Sequence, residues 1–103
     1  MQATLDDYAA PLHDLTGFQR DLLAVVVRND GSENLHGLAI KKELDRVYET
    51  DIFHGRLYPN LDTLVEKGLI QKGEIDDRTN YYKVTRRGHR EFKSHLDWLQ
   101  TDG

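Results

Sequence analysis

Arg56, Asn60, Thr63 and Lys67 follow one another at spacings of four, three and four residues, and each can donate a hydrogen bond. That spacing lines side chains up on one face of an α-helix. None of the four is acidic, and Asp62 and Glu66 fall outside the row. Leu57, Leu61 and Leu64 repeat at i, i+4 and i+7 on a different face of the same segment, His54 to Lys67. A helix with one apolar side and one donor-rich side suits a DNA major groove, where Arg and Asn match guanine and adenine edges through paired hydrogen bonds. A polar face that is merely solvated gives the same pattern, and this segment alone favours that plainer reading. The rest of the chain decides between them.

Other chemistries find little support. His13, His36, His54, His89 and His95 invite a metal or pH-sensing role, but no two are four residues apart. There is no HExxH, GxSxG, P-loop or GxGxxG pattern, so neither an enzyme nor a metal or other cofactor is expected. The chain has no cysteine, which excludes disulfides, thiolate zinc sites and thiol redox sensing. No apolar run has the length of a membrane span, and the first residues lack the basic and apolar regions of a signal peptide. These features predict a soluble protein of the cytoplasm.

The chain has 103 residues, enough for one domain with a modest core, close to the size at which dimerisation helps. Its net charge of −4 is unevenly divided. Residues 1–51 carry five Lys+Arg against ten Asp+Glu, and residues 52–103 carry nine against eight. Lys83, Arg86, Arg87 and Arg90 fall close together in the second half. Overall acidity is compatible with DNA binding provided one face is locally basic. Twelve Asp against six Glu, with only six Lys, suits a saline cytoplasm, in which acidic residues keep a surface hydrated.

Residues 1–15 form an N-terminal arm. Leu5, Tyr8 and Leu12 give it apolar anchors for packing on the body or on a partner subunit, with fraying an equal alternative, and Pro11 stops any short helix begun at Thr4. Thr16 and Gln19 have the form of a capping box, opening a helix from about Gly17 to Arg28 that is rich in Leu and Val. A second helix runs from Leu35-His36-Gly37 to about Glu49, with Leu38, Ile40, Leu44 and Val47 as its buried side. Thr50-Asp51-Ile52 connects, with some strand character. The donor-bearing helix begins near His54 or Gly55, which requires Pro59 to lie in its first turn or to kink it. Gly68 then acts as a helix stop. Leu69 to Lys72 and Tyr81 to Val84 read as two short strands around a polar tip at residues 73–80, and Thr85 caps a last helix from Arg86 to about Gln100. The predicted fold is mainly α with a small β-hairpin: a winged helix-turn-helix over residues 16–85, with a dimerisation helix over residues 86–103.

Three blocks resemble the PadR family of transcriptional regulators. Leu35-His36-Gly37-Leu38-Ala39-Ile40-Lys41 resembles the family's LHGYEIIK-type start of the second helix. Gly55-Arg56-Leu57-Tyr58-Pro59, continuing through Leu61, Leu64, Glu66 and Gly68 to Leu69-Ile70, resembles its recognition helix and first wing strand. Arg78-Thr79-Asn80-Tyr81-Tyr82-Lys83-Val84-Thr85-Arg86-Arg87-Gly88 resembles its second wing strand. The resemblance covers roughly residues 18–92 and implies a homodimeric, sequence-specific DNA-binding regulator with its last helix in the subunit interface. Arg56 stands where the family usually has a small Thr or Ser, and the C-terminal region is short for the family. The Asp-rich composition points to a haloarchaeal member.

With the wing in view, Arg56, Asn60 and Thr63 become expected base or phosphate contacts, with Lys67 completing their row. Tyr58 is divided between reaching DNA and burying its ring. Lys72 and Arg78 are the wing's candidates for phosphate or the minor groove, and Asp76 and Asp77 favour a backbone contact for Arg78. Lys41 and Lys42 are candidates for phosphate beside the second helix, with an ordinary solvated face nearly as good an account. Phe92, Leu96, Trp98 and Leu99 form an apolar stripe that an isologous dimer would cover. The partners expected are double-stranded DNA and a second copy of the chain, with a small-molecule effector at the dimer interface as a variant. The rival reading is a winged helix used as a protein-interaction module, its acidic N-terminal half meeting a basic partner.

Overall fold

The computed structural model describes residues 12–33, 35–74, 76 and 79–100. Four helices and one hairpin follow in the order α1 (Gly17–Arg28), α2 (Gly37–Tyr48), α3 (His54–Glu66), β1 (Ile70–Glu74), β2 (Asn80–Val84) and α4 (Arg86–Gln100). This is a winged helix. The predicted capping box is present: Gln19 N donates to Thr16 Oγ1 and Thr16 N to Gln19 Oε1, both at 3.1 Å. Thr85 caps α4 by accepting from Gly88 N at 2.9 Å. The strands pair antiparallel with Ile70 opposite Val84 and Glu74 opposite Asn80, so the hairpin is longer than the sequence pattern suggests.

α1, α2 and α3 close around leucine. Leu22 and Leu23 of α1, Ile40 of α2, and Leu57, Leu61 and Leu64 of α3 have no exposed surface. Ile70, Tyr82 and Val84 bring the base of the wing into the same core. Leu12 and Leu15 are also buried in it, so the described part of the arm belongs to the body. Residues 1–11, with Leu5, Tyr8 and Pro11, lie outside the described residues.

Two expectations need correction, and a third is narrowed to one of its alternatives. Leu38 and Val47 are exposed, because the buried row of α2 is Gly37, Ile40 and Leu44 with Tyr48 half-buried. Leu38 projects opposite Ile40, two residues or 200° around the helix, and Val47 falls beside the row. Thr50 to Ile52 forms no strand. The chain instead contacts the sheet earlier, through a bridge between His36 and Tyr81 with Tyr82 N donating to Leu35 O at 2.9 Å. Pro59 lies inside α3, past its first turn, where its missing N–H leaves the Gly55 carbonyl without the usual helical partner.

The wing and α4 are joined by a close packing at Gly88. A Cβ there would lie 2.0 Å from the Leu69 carbonyl oxygen and 2.9 Å from its carbon. Around this contact Thr85 N donates to Leu69 O at 3.1 Å and Thr85 Oγ1 to Gly68 O at 2.6 Å. Gly88→Ala must push α4 off the wing, and overpacking of this kind costs about 1–3 kcal/mol; urea unfolding of the variant is expected to read that loss.

Tyr82 offers a second check. Burial, reinforced by the negative charge of Asp62, pushes its phenol up to about 12. A raised folded-state value means that the associated stability is fully present below the ordinary phenol value near 10, and is lost as the pH rises toward 12. Replacing Tyr82 with Phe should flatten that alkaline loss, followed by the urea midpoint as a function of pH.

Candidate nucleic-acid interface

With Leu57, Leu61 and Leu64 inward, the residues of α3 farthest from the core are Gly55, Pro59, Asp62 and Glu66, all exposed. The row Arg56, Asn60, Thr63 and Lys67 is turned about a quarter to a third of a revolution from the core, along the flank that meets α1. There each donor has a local partner. The Arg56 guanidinium carbon sits 4.0 Å from the centroid of the Phe18 ring, a cation–π geometry. Gln19 Nε2 donates to Asn60 Oδ1 at 2.9 Å, while Asn60 Nδ2 donates to Arg56 O at 2.7 Å. Thr63 Oγ1 donates to Pro59 O at 3.1 Å. Lys67 Nζ pairs with Asp14 at 2.8 Å, and its ammonium holds that carboxyl below the usual range. Phe18 and Gln19 carry no signal of this role in the sequence, since both read as ordinary first-turn residues of α1.

The opposite flank of α3 faces α2 and the wing. Tyr58 is half-buried and makes an edge-on contact with His54, ring centroids 5.7 Å apart. A Cβ on Gly37 would lie 2.7 Å from Tyr58 Cε1 and Oη, so glycine at the start of α2 is what lets the tyrosine ring in. Here the two helices and the wing border a groove of about 520 Å³, lined by Gly37, Leu38, Lys42, Tyr58 and Asn80 among others. His36, the N-cap of α2, makes no side-chain capping bond, which leaves the positive end of the helix dipole beside the groove.

The two lysines of α2 differ. Lys41 Nζ is bonded to both Asp45 and Asp51, which raise its proton affinity, and only 14% of its side chain is exposed. Lys42 is exposed on the groove wall. On the wing, Lys72 lies 3.6 Å from Asp62 of α3. Arg78 and Asp77 fall outside the described residues, while Asp76 Oδ1 accepts from Thr79 N at 2.9 Å.

α4 leaves the body partway along its length. Gly88 is its one buried residue and Phe92 leans half-buried on the core, whereas Leu96, Trp98 and Leu99 are 42%, 54% and 59% exposed. The His95 ring stacks on Trp98 at 5.9 Å. Among the described residues no group of His, Asp or Glu is arranged to hold a metal ion, and no helix is long and apolar enough to cross a membrane.

A family model described as the transcriptional regulator PadR-like family matches residues 22–94. The chain belongs to the PadR-like family of transcriptional regulators. Among solved structures, RosR of H. salinarum from crystals grown with NaBr is 48% identical, covering 85% of this chain and 76% of that one with a TM-score of 0.76. A complex designated hsRosR-S1 gives 49% identity, 84% and 73% coverage, and a TM-score of 0.75. The S. aureus MepR–DNA complex shares the fold at 19% identity, covering 92% of this chain and 61% of that one with a TM-score of 0.70. No curated protein matches the chain. The similarity to a regulator of H. salinarum is in keeping with the Asp-rich composition.

The internal pairing of the PadR-like donor row is weak where it is ionic. Lys67 and Asp14 are substantially exposed, 36% and 56% of their side chains, and such pairs contribute under about 1 kcal/mol. A double-mutant cycle on Asp14 and Lys67 is expected to give a coupling below that value in dilute buffer and none in molar salt.

Proposed function

We propose that the protein acts in the cytoplasm as a homodimer that reads a pseudo-palindromic operator in double-stranded DNA. The observation that carries this is the shared aspect of three features: the exposed N-terminal half of α3, the uncapped start of α2 with Lys42 beside it, and the wing. In a helix-turn-helix the N-terminal residues of the recognition helix meet base edges while the preceding helix crosses the backbone. Lys42 and the dipole of α2 then hold phosphate across the groove, and Tyr58 borders the same strand.

Asp62 and Glu66 put negative charge on the outer half of α3. They favour a helix that enters the groove by its first two turns, with Glu66 lifted away from the phosphates. Arg56, supported on Phe18, presents its guanidinium edge at that leading end and is assigned to a guanine. Asn60, Thr63 and Lys67 serve the same flank, Lys72 and Arg78 serve the backbone beside the wing, and Lys41 has its charge offset by two carboxylates. The exposed Leu96, Trp98 and Leu99, continued by Phe92, supply the self-complementary surface of a dimer. Kinship with transcriptional regulators favours DNA over the protein-interaction reading.

Selection from random duplex DNA, run in moderate and in multimolar salt, tests this. Enrichment of a pseudo-palindrome with half-sites about one helical turn apart is expected; no enrichment at either salt overturns it. On the selected operator Arg56→Ala should cost about 1–3 kcal/mol and relax one position per half-site. Equal loss on all sequences would make Arg56 a phosphate contact instead.

A further inference from the structure

Phe53 occupies a place that phenylalanine rarely holds. It is the N-cap of α3, with φ −81° and ψ 155°, and makes no side-chain capping bond. Ser, Thr, Asp and Asn are preferred there because their oxygen satisfies an orphan amide of the first turn. Phe53 is also 68% exposed, more than any other large apolar residue among those described. The missing cap costs stability in the isolated chain, and the exposed ring gains little burial to offset it, which points to a use elsewhere.

The ring has a fixed seat. A Cβ on residue 55 would lie 2.8 Å from Phe53 Cε2 and 3.1 Å from Cδ2, so the ring lies over Gly55, and glycine is what leaves it room. Gly55 begins the outermost row of α3, and the next member of that row is Pro59. The leading front of the helix is therefore apolar, while the hydrogen-bond donors stand on the flank beside Phe18 and Gln19. In the major groove the base-edge feature that an apolar side chain recognises is the C5-methyl group of thymine.

We propose that Phe53 is a specificity-determining residue whose ring, laid over Gly55 at the front of α3, contacts the methyl group of a thymine. The assignment rests on the DNA-reading function proposed above. It releases no counterions, so the discrimination it supplies persists in salt that weakens phosphate contacts.

The test uses operators from the random-duplex selection, remade with deoxyuridine in place of one thymine at a time. That change removes the methyl group and leaves every hydrogen-bonding group in place. The wild-type protein should bind about fourfold more weakly at one position in each half-site, the value of one buried methyl. Phe53→Ser restores a capping oxygen, so it should melt no lower than wild type and bind the thymine and deoxyuridine forms equally. If no position responds in wild type, or if Phe53→Ser still distinguishes the two forms, the ring does not read the methyl and the inference falls while the DNA-reading function stands. A selection that enriches no sequence overturns both.

Discussion

Leu57, Leu61 and Leu64 are fully buried, and the orientation of everything else on α3 follows from that. Burying a leucine contributes roughly 1.5–3 kcal/mol, so the three together are comparable with the whole stability of a small domain, about 5–15 kcal/mol. Rolling α3 by one residue, 100°, would forfeit much of that. The roll is therefore set by the core and not by DNA. With the roll fixed, the donor row lies along α1, Tyr58 lies against α2, and the row from Gly55 to Glu66 is left outermost.

Two glycines lock the neighbouring elements at close range. Gly37 admits the Tyr58 ring between α2 and α3, and Gly88 brings the first turn of α4 onto the Leu69 carbonyl. The motif blocks that resemble the PadR family thus meet in space: the tyrosine of one fits the glycine of another, and the third fixes the wing to α4. The same contacts relate the groove, the wing and the direction in which α4 leaves the body, which is what a dimer would need to place two copies of α3 along one DNA duplex.

The order of elements and most of their bounds were legible in the sequence because local signals agreed. Thr16 with Gln19, Gly68 after Lys67, and Thr85 before Arg86 each mark a helix end by side-chain or backbone chemistry that operates within a few residues. The buried row of α3 was equally plain. The site was less legible, because helical spacing says which residues share a face and not which way the face turns. Arg56, Asn60, Thr63 and Lys67 do share one, but Phe18, Gln19 and Asp14 meet it from far earlier in the chain. Leu38 and Val47 read as core because hydrophobicity alone does not say where the neighbouring helix packs. Phe53 carries no signal in the sequence, since an isolated aromatic before a helix ordinarily packs into the core.

On the proposed function α3 meets DNA by its N-terminal turns, with its acidic C-terminal end held away. Amide hydrogen exchange, compared with and without a selected operator duplex, tests this most directly. Protection is expected over residues 53–60, at the start of α2 and along the wing, with little change around Glu66. Protection concentrated at the Glu66 end of α3, or spread evenly along the helix, would contradict the account.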